Sequence, residues 1–166
     1  SGQQMIAHVA KHARRTVNPP DDTWVAWAAH PRGYKAHPHF QLGLWQSHLF
    51  LWFALFPEAE SVKPAFGNVL LEHLEEIKSF LPQHFVWSLD HTRPEATPHA
   101  QMTDADFAQL GERLKRIKKS EVLCGLHIPR SDPILGDSEA LQQRVTETFD
   151  TLSRLYRLLL PAHVHP

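Results

Sequence analysis

Eight apolar residues in succession, Leu49-Phe50-Leu51-Trp52-Phe53-Ala54-Leu55-Phe56, constrain this chain more than any other feature. The run is rich in aromatic residues and bounded by Ser47 and Pro57, which predicts a strand over His48–Phe56 that is apolar on both faces and lies centrally in a sheet. It is far too short for a membrane-spanning helix, which needs roughly 20 apolar residues. Just before it, Phe40, Leu42 and Leu44 alternate with His39, Gln41, Gly43 and Trp45. That period of two predicts a partner strand with one apolar and one wet face, joined to its neighbour through Gln46-Ser47 as a hairpin.

Three further strands are expected, over Thr23–Ala29, His84–Asp90 and Glu121–Ile128, with Asn18–Asp22 and His30–Gly33 as connections; Met5–Ala13 has the helical spacing of His8 and His12 but small and β-branched residues that suit a short strand, which is the preferred reading. In the last strand Val122, Cys124, Leu126 and Ile128 face inward and Gly125 and His127 outward. Between Pro57 and Leu81 the apolar period becomes helical, on a stripe through Val62, Phe66, Val69, Leu70, Ile77 and Leu81 that Pro82 ends. A second helix starts at the N-cap Thr103, with Asp104 and Asp106 in its first turn, and buries Phe107, Leu110, Leu114 and Ile117. The third spans Ser138–Leu160 and stops at Pro161. Strands first and helices later imply a two-layer α+β domain, its antiparallel or mixed sheet carrying helices mainly on one face. One domain over residues 1–166 is expected, and the uncovered face would display His39, Gln41, Ser88, Asp90 and His127.

Composition excludes several classes. Hydrophobic residues are 42% and charged residues 21% of the chain, which opposes disorder. Cys124 is the single cysteine, so neither an internal disulfide nor a paired-cysteine zinc site is available, and a cytoplasmic location is expected. Ser1-Gly2 reads as the remnant of a cleaved tag. Net charge is −1, yet residues 1–50 hold five basic side chains (Lys11, Arg14, Arg15, Arg32, Lys35) against Asp21 and Asp22. Any surface that seeks anions is expected there.

Long strings in this sequence resemble the YktB-like family of uncharacterised proteins of bacilli. His8-Val-Ala-Lys-His-Ala-Arg-Arg-Thr-Val-Asn-Pro-Pro20 with Asp22-Thr-Trp-Val-Ala26 carries the resemblance first. Arg32-Gly-Tyr-Lys35, Pro38-His-Phe-Gln41, Gly43-Leu-Trp45, His84–Ser88 with Asp90-His91, Cys124-Gly125, His127–Arg130 and Leu155-Tyr-Arg157 follow in the same order. The resemblance implies no activity, because that family has none assigned. It also implies a further N-terminal segment that this chain lacks.

The residues themselves suggest chemistry in three ways. Lys11, Arg14, Arg15, Arg32 and Lys35 suit a phosphate or carboxylate, since cationic forks match such oxygens, although a solvated basic face paired with Asp21, Asp22 and Asp90 has the same composition. Beside them Trp24, Tyr34 and Trp45 are placed to stack on a ligand ring, whereas Trp52 and Trp87 read as core. The first expectation is therefore binding of a small anionic ligand, or nucleic acid, by a basic and aromatic face: Lys11, Arg14, Arg15, Trp24, Arg32, Tyr34, Lys35, His39, Gln41, Asp90 and His127. The alternative is a hydrolase or phosphate-handling enzyme using His39, Asp90 and His127 as acid–base groups, with Ser88 or Cys124 as nucleophile. A purely structural role in an oligomer is the third reading. Among the thirteen histidines, His37-x-His39 and His8-x-x-x-His12 lack the spacing of a catalytic zinc motif, so neither a metal nor a cofactor is expected.

Overall fold

The computed structural model describes residues 2–11 and 20–163. Arg14, Arg15 and His12 lie outside these residues, as do residues 164–166. Seven strands form one open, wholly antiparallel sheet: β1 (Ile6–Val9), β2 (Asp22–Ala28), β3 (His39–Trp45), β4 (His48–Leu55), β5 (Val86–Ser88), β6 (Thr97–Pro98) and β7 (Val122–Pro129). Their order is β1-β2-β3-β4-β7-β5-β6, so β4, apolar from Leu49 onward, sits at the centre with every residue buried.

Four helices, α1 (Lys63–Glu72), α2 (Leu74–Phe80), α3 (Asp104–Arg116) and α4 (Ser138–His163), cover one face. Leu51, Phe53 and Leu55 of β4 pack there with Val122, Cys124, Leu126 and Ile128 of β7, against Phe66 and Leu70 of α1, Phe107 and Leu114 of α3, and Leu152, Leu155 and Tyr156 of α4. α1 and α3 touch at Gly67 and Gly111; a Cβ on either would come within 2.6–2.8 Å of the other's carbonyl oxygen. Among the described residues no helix is long and apolar enough to cross a membrane.

Several sequence expectations shift. The helix expected over Pro57–Leu81 is two helices, broken at His73 (φ −113°, ψ 21°). No proline or glycine stands at the break, where His73 Nδ1 lies 3.1 Å from Glu76 Oε2 in the first turn of α2. Ile117 caps the end of α3 and is 44% exposed, because the helix closes one residue earlier and the chain turns to Ser120. The strand expected over His84–Asp90 is shorter and leaves Leu89 46% exposed: β5 ends at Ser88, where hydrogen bonds among Ser88, Asp90 and Thr92 turn the chain. α4 runs past Pro161 to His163, since a proline this near the end removes only one backbone bond.

The largest difference concerns the second sheet face, which is not wet. Phe50, Trp52, Ala54, Phe56 and Leu123 form a second buried cluster there, packed against Trp24, Tyr34, Trp45, Val86 and Ala96. His39, Gln41 and Ser88 are correspondingly buried. The reason lies in β4 itself, whose second apolar face must also leave water.

Candidate functional site

Strand register shapes the helix-free face in rows. Trp24, Gly43, Phe50 and His127 are cross-strand neighbours in one row; Ala26, Gln41, Trp52, Gly125 and Val86 form the next. Each row places a glycine beside a large aromatic ring. A Cβ on Gly43 would strike the Phe50 ring and lie 2.6 Å from the Thr23 carbonyl oxygen, and one on Gly125 would overlap the Leu51 carbonyl. Gly43 therefore lets the Phe50 ring lie low on the sheet, and Gly125 lets the β4 backbone at Leu51 and Trp52 approach closely, beneath a depression on this face.

That depression is a cavity of about 250 Å³. Its aromatic lining is Trp24, Tyr34, Trp45, Phe50, Trp52 and Phe56; its polar lining is Gln41, Ser88 and Thr92; its charged and titratable lining is Asp21, Asp22, Lys35, Asp90, His91 and Arg93. The Trp24 and Tyr34 rings meet at 5.2 Å, and Lys35 Nζ stands 5.7 Å over the Phe56 ring. A larger cleft of about 550 Å³ runs between α3 and the β5–β6 edge, its charged lining being Asp106, Glu112, Arg113 and Arg116, of which Glu112 and Arg116 are paired with each other.

One wall of the smaller cavity is a histidine held by a buried carboxylate. The Glu121 side chain, 7% exposed, takes the His91 backbone N–H on Oε1 at 3.1 Å and His91 Nδ1 on Oε2 at 2.6 Å. The His91 ring stacks on Phe56 at 4.1 Å. Next to it, Asp90 Oδ1 accepts from the Thr92 N–H (2.9 Å) and hydroxyl (2.6 Å), which hold its carboxyl below the usual carboxylate range, and Oδ2 faces Arg93 Nε at 3.7 Å.

Of the residues singled out in the sequence, Trp24, Tyr34, Lys35, Gln41 and Asp90 line this cavity together. His39 does not line it. It is fully buried, edge-on to Tyr34 at 5.0 Å and to Phe56 at 4.7 Å, and gives its Nδ1 proton to the His37 carbonyl at 2.8 Å. Burial pushes its pKa down to about 4, against the opposing pull of that hydrogen bond. His127 stacks on His48 at 3.8 Å beside Trp52, also away from the cavity lining, and burial followed by the repulsion of His48 lowers it to about 3. Arg32 and Lys11 are exposed and outside the lining. Four buried polar atoms find no hydrogen-bond partner among the described residues: Tyr34 Oη and the Nε2 atoms of His39, His48 and His127. Burial, then Glu58 and Asp22, raise the Tyr34 hydroxyl well above its ordinary value, so it is a neutral donor.

His91, Thr92, Arg93 and Glu121 were not singled out. His91 adjoins Asp90 in the chain and was within reach of sequence reasoning. Glu121 was not, because it stands thirty residues on, at the entry to a different strand, and no local spacing ties it to His91.

Residues 1–156 match a family model described as a domain of unknown function, DUF1054. A UPF0637 protein of Bacillus licheniformis is 46% identical over 95% of this chain and 74% of its own length. Another of Bacillus velezensis is 46% identical over 95% of the chain and 75% of its own, and one of Bacillus cytotoxicus 44% identical over 95% and 76%. The motifs from His8 to Arg157 thus pointed to the right group, uncharacterised proteins of bacilli.

Proposed function

We propose that this chain, which belongs to the DUF1054 family of UPF0637 proteins, binds a small molecule that carries a flat ring and a single acidic group in the cavity of the helix-free face. The observation that carries the reading is the convergence of Trp24, Tyr34, Trp45 and Trp52 with Lys35 and Arg93 on one open depression. Aromatic walls bury and stack a ring, and the two cations meet its acidic group. Asp21, Asp22 and Asp90 share the lining and narrow the ligand further. A polyanion such as nucleic acid would meet their repulsion along its whole length, whereas a small molecule with one acidic group and donors elsewhere uses both signs.

Acid–base chemistry is a second reading, favoured by the Glu121–His91 pair rather than by His39 or His127. A carboxylate on Nδ1 fixes the imidazole tautomer and leaves Nε2 for proton transfer. The ligand reading is tested by a thermal-shift panel of nucleoside monophosphates, aromatic carboxylates and phosphosugars on the wild type, Lys35→Ala and Trp24→Ala. A ring-bearing monoanion at 100 times its Kd raises stability by about 2.7 kcal/mol in the wild type. The same shift in both variants would remove the cavity from the account.

A further inference from the structure

We infer that Asp90, His91 and Glu121 form a binding site for one first-row divalent cation, of the class of Zn²⁺, at the wall of the cavity. Three donor atoms, one from each side chain, lie within 4.8 Å of one another. One imidazole nitrogen and two carboxylate oxygens are a donor set for such a cation, and three protein ligands beside a cavity leave a coordination position open.

Two observations distinguish this cluster from acidic groups that merely share a surface. First, Glu121 is a buried carboxylate, and among the described residues no lysine or arginine forms an ion pair with it. Fixed cations serve these carboxylates only in part: Arg93, 74% exposed, stands 3.7 Å from Asp90, and the buried Lys63, near enough to feel the charge of Glu121, donates its ammonium protons to three carbonyls instead. Buried charge of one sign is stabilised by pairing or by a metal. Second, the atoms not needed for coordination are already held. Thr92 fixes Asp90 through Oδ1, and the His91 N–H fixes Glu121 through Oε1. This leaves Asp90 Oδ2, Glu121 Oε2 and His91 Nδ1 as the donors, oriented from behind as metal ligands are. On binding, the proton shared between Nδ1 and Oε2 passes to solvent, and those two atoms separate from 2.6 Å to the wider spacing of two ligands on one ion. The site stands whether or not the cavity takes an organic ligand, so its failure leaves the ligand reading intact.

The test is titration of the full chain with ZnCl₂ alone, followed by calorimetry, on the wild type, Asp90→Asn and Glu121→Gln. Asp90→Asn keeps the oxygen that Thr92 holds and so keeps the fold, which separates loss of metal from loss of structure. The expected result is one cation per chain, with affinity reduced at least about 10-fold in each variant. Absence of saturable binding by the folded wild type overturns the proposal. Binding that persists unchanged in both variants also overturns it, because the ion then sits on histidines elsewhere.

Discussion

His91 Nδ1 and Glu121 Oε2 stand 2.6 Å apart, the imidazole at the cavity and the carboxylate buried behind it. This pair joins the loop after β5 to the entry of β7, so the same contact that shapes the site also closes the fold. Glu121→Ala strands the His91 N–H and ring without an acceptor. We expect about 2–3 kcal/mol of lost stability in urea denaturation, the range for hydrogen bonds to a charged partner.

Stability should fall as acid is added, earlier than carboxylates alone would require. The His39 pKa is lowered to about 4 and the His127 pKa to about 3, both by burial, whereas unfolded imidazoles titrate near about 6.5. Between pH 6.5 and 4 the unfolded chain holds protons that the fold excludes, so stability present above pH 6.5 is lost as pH drops through this window. His127→Phe keeps a ring against His48 and Trp52 and should reduce the proton uptake on unfolding at pH 5 by about one. Denaturation midpoints measured from pH 7.5 to 4 give this slope for both proteins.

Gly125→Ala should be among the most damaging single changes, because its Cβ overlaps the backbone carbonyl of Leu51 in the central strand. A loss of about 3 kcal/mol or more is expected. At Gly136, where nothing lies within 4 Å, the same change should alter stability by less than about 0.5 kcal/mol. Paired thermal melts of the two variants read the difference.

Lys63 should be intolerant of loss despite its charge. It is 2% exposed, and its Nζ donates to the carbonyls of Pro57 (3.1 Å), Lys118 (2.5 Å) and Ser120 (2.9 Å), tying the start of α1 to the α3–β7 connection. Lys63→Met takes the donor from all three carbonyls, the Ser120 one in a buried bond, and we expect a cost of about 3 kcal/mol in urea denaturation.

The capping of α3 gives a smaller effect. Thr103 Oγ1 accepts from the Asp106 N–H at 3.2 Å while the Asp106 carboxylate takes the Thr103 N–H at 2.8 Å. Thr103→Ala should cost about 1 kcal/mol, visible as a lower melting temperature with the folded spectrum unchanged.

How far the sequence disclosed all this depends on the kind of signal. The centre of the sheet was legible, because β4 is apolar from Leu49 onward and β3 and β7 alternate; so was the Thr103 cap, which is a local motif. The covered second face was not. His39 and Gln41 look like solvent-facing residues until the turn at Tyr34, just before β3, and the loop after β5, from a distant part of the chain, close over this face. The break at His73 has no residue type to announce it. For the site, Trp24, Tyr34, Lys35 and Gln41 were found because aromatic and charged residues near one another in sequence also share the β2–β3 region, and Asp90 because it ends an expected strand of the same sheet. Glu121 could not be, since only the pairing of β7 with β4 and β5 brings it to His91.

The central claim is that the cavity over β4 takes a ring-bearing monoanion, and the five tryptophans test it directly. Trp24, Trp45 and Trp52 line the cavity; Trp27 packs against Phe149 on the helical face, and the Trp87 indole N–H is bound to His99 at 3.1 Å. Nuclear magnetic resonance of the indole N–H signals, during titration with the panel member that stabilises the protein most, should move Trp24, Trp45 and Trp52 and leave Trp27 and Trp87 in place. Movement of Trp27 or Trp87 instead, or saturation with all five signals unmoved, would contradict the account.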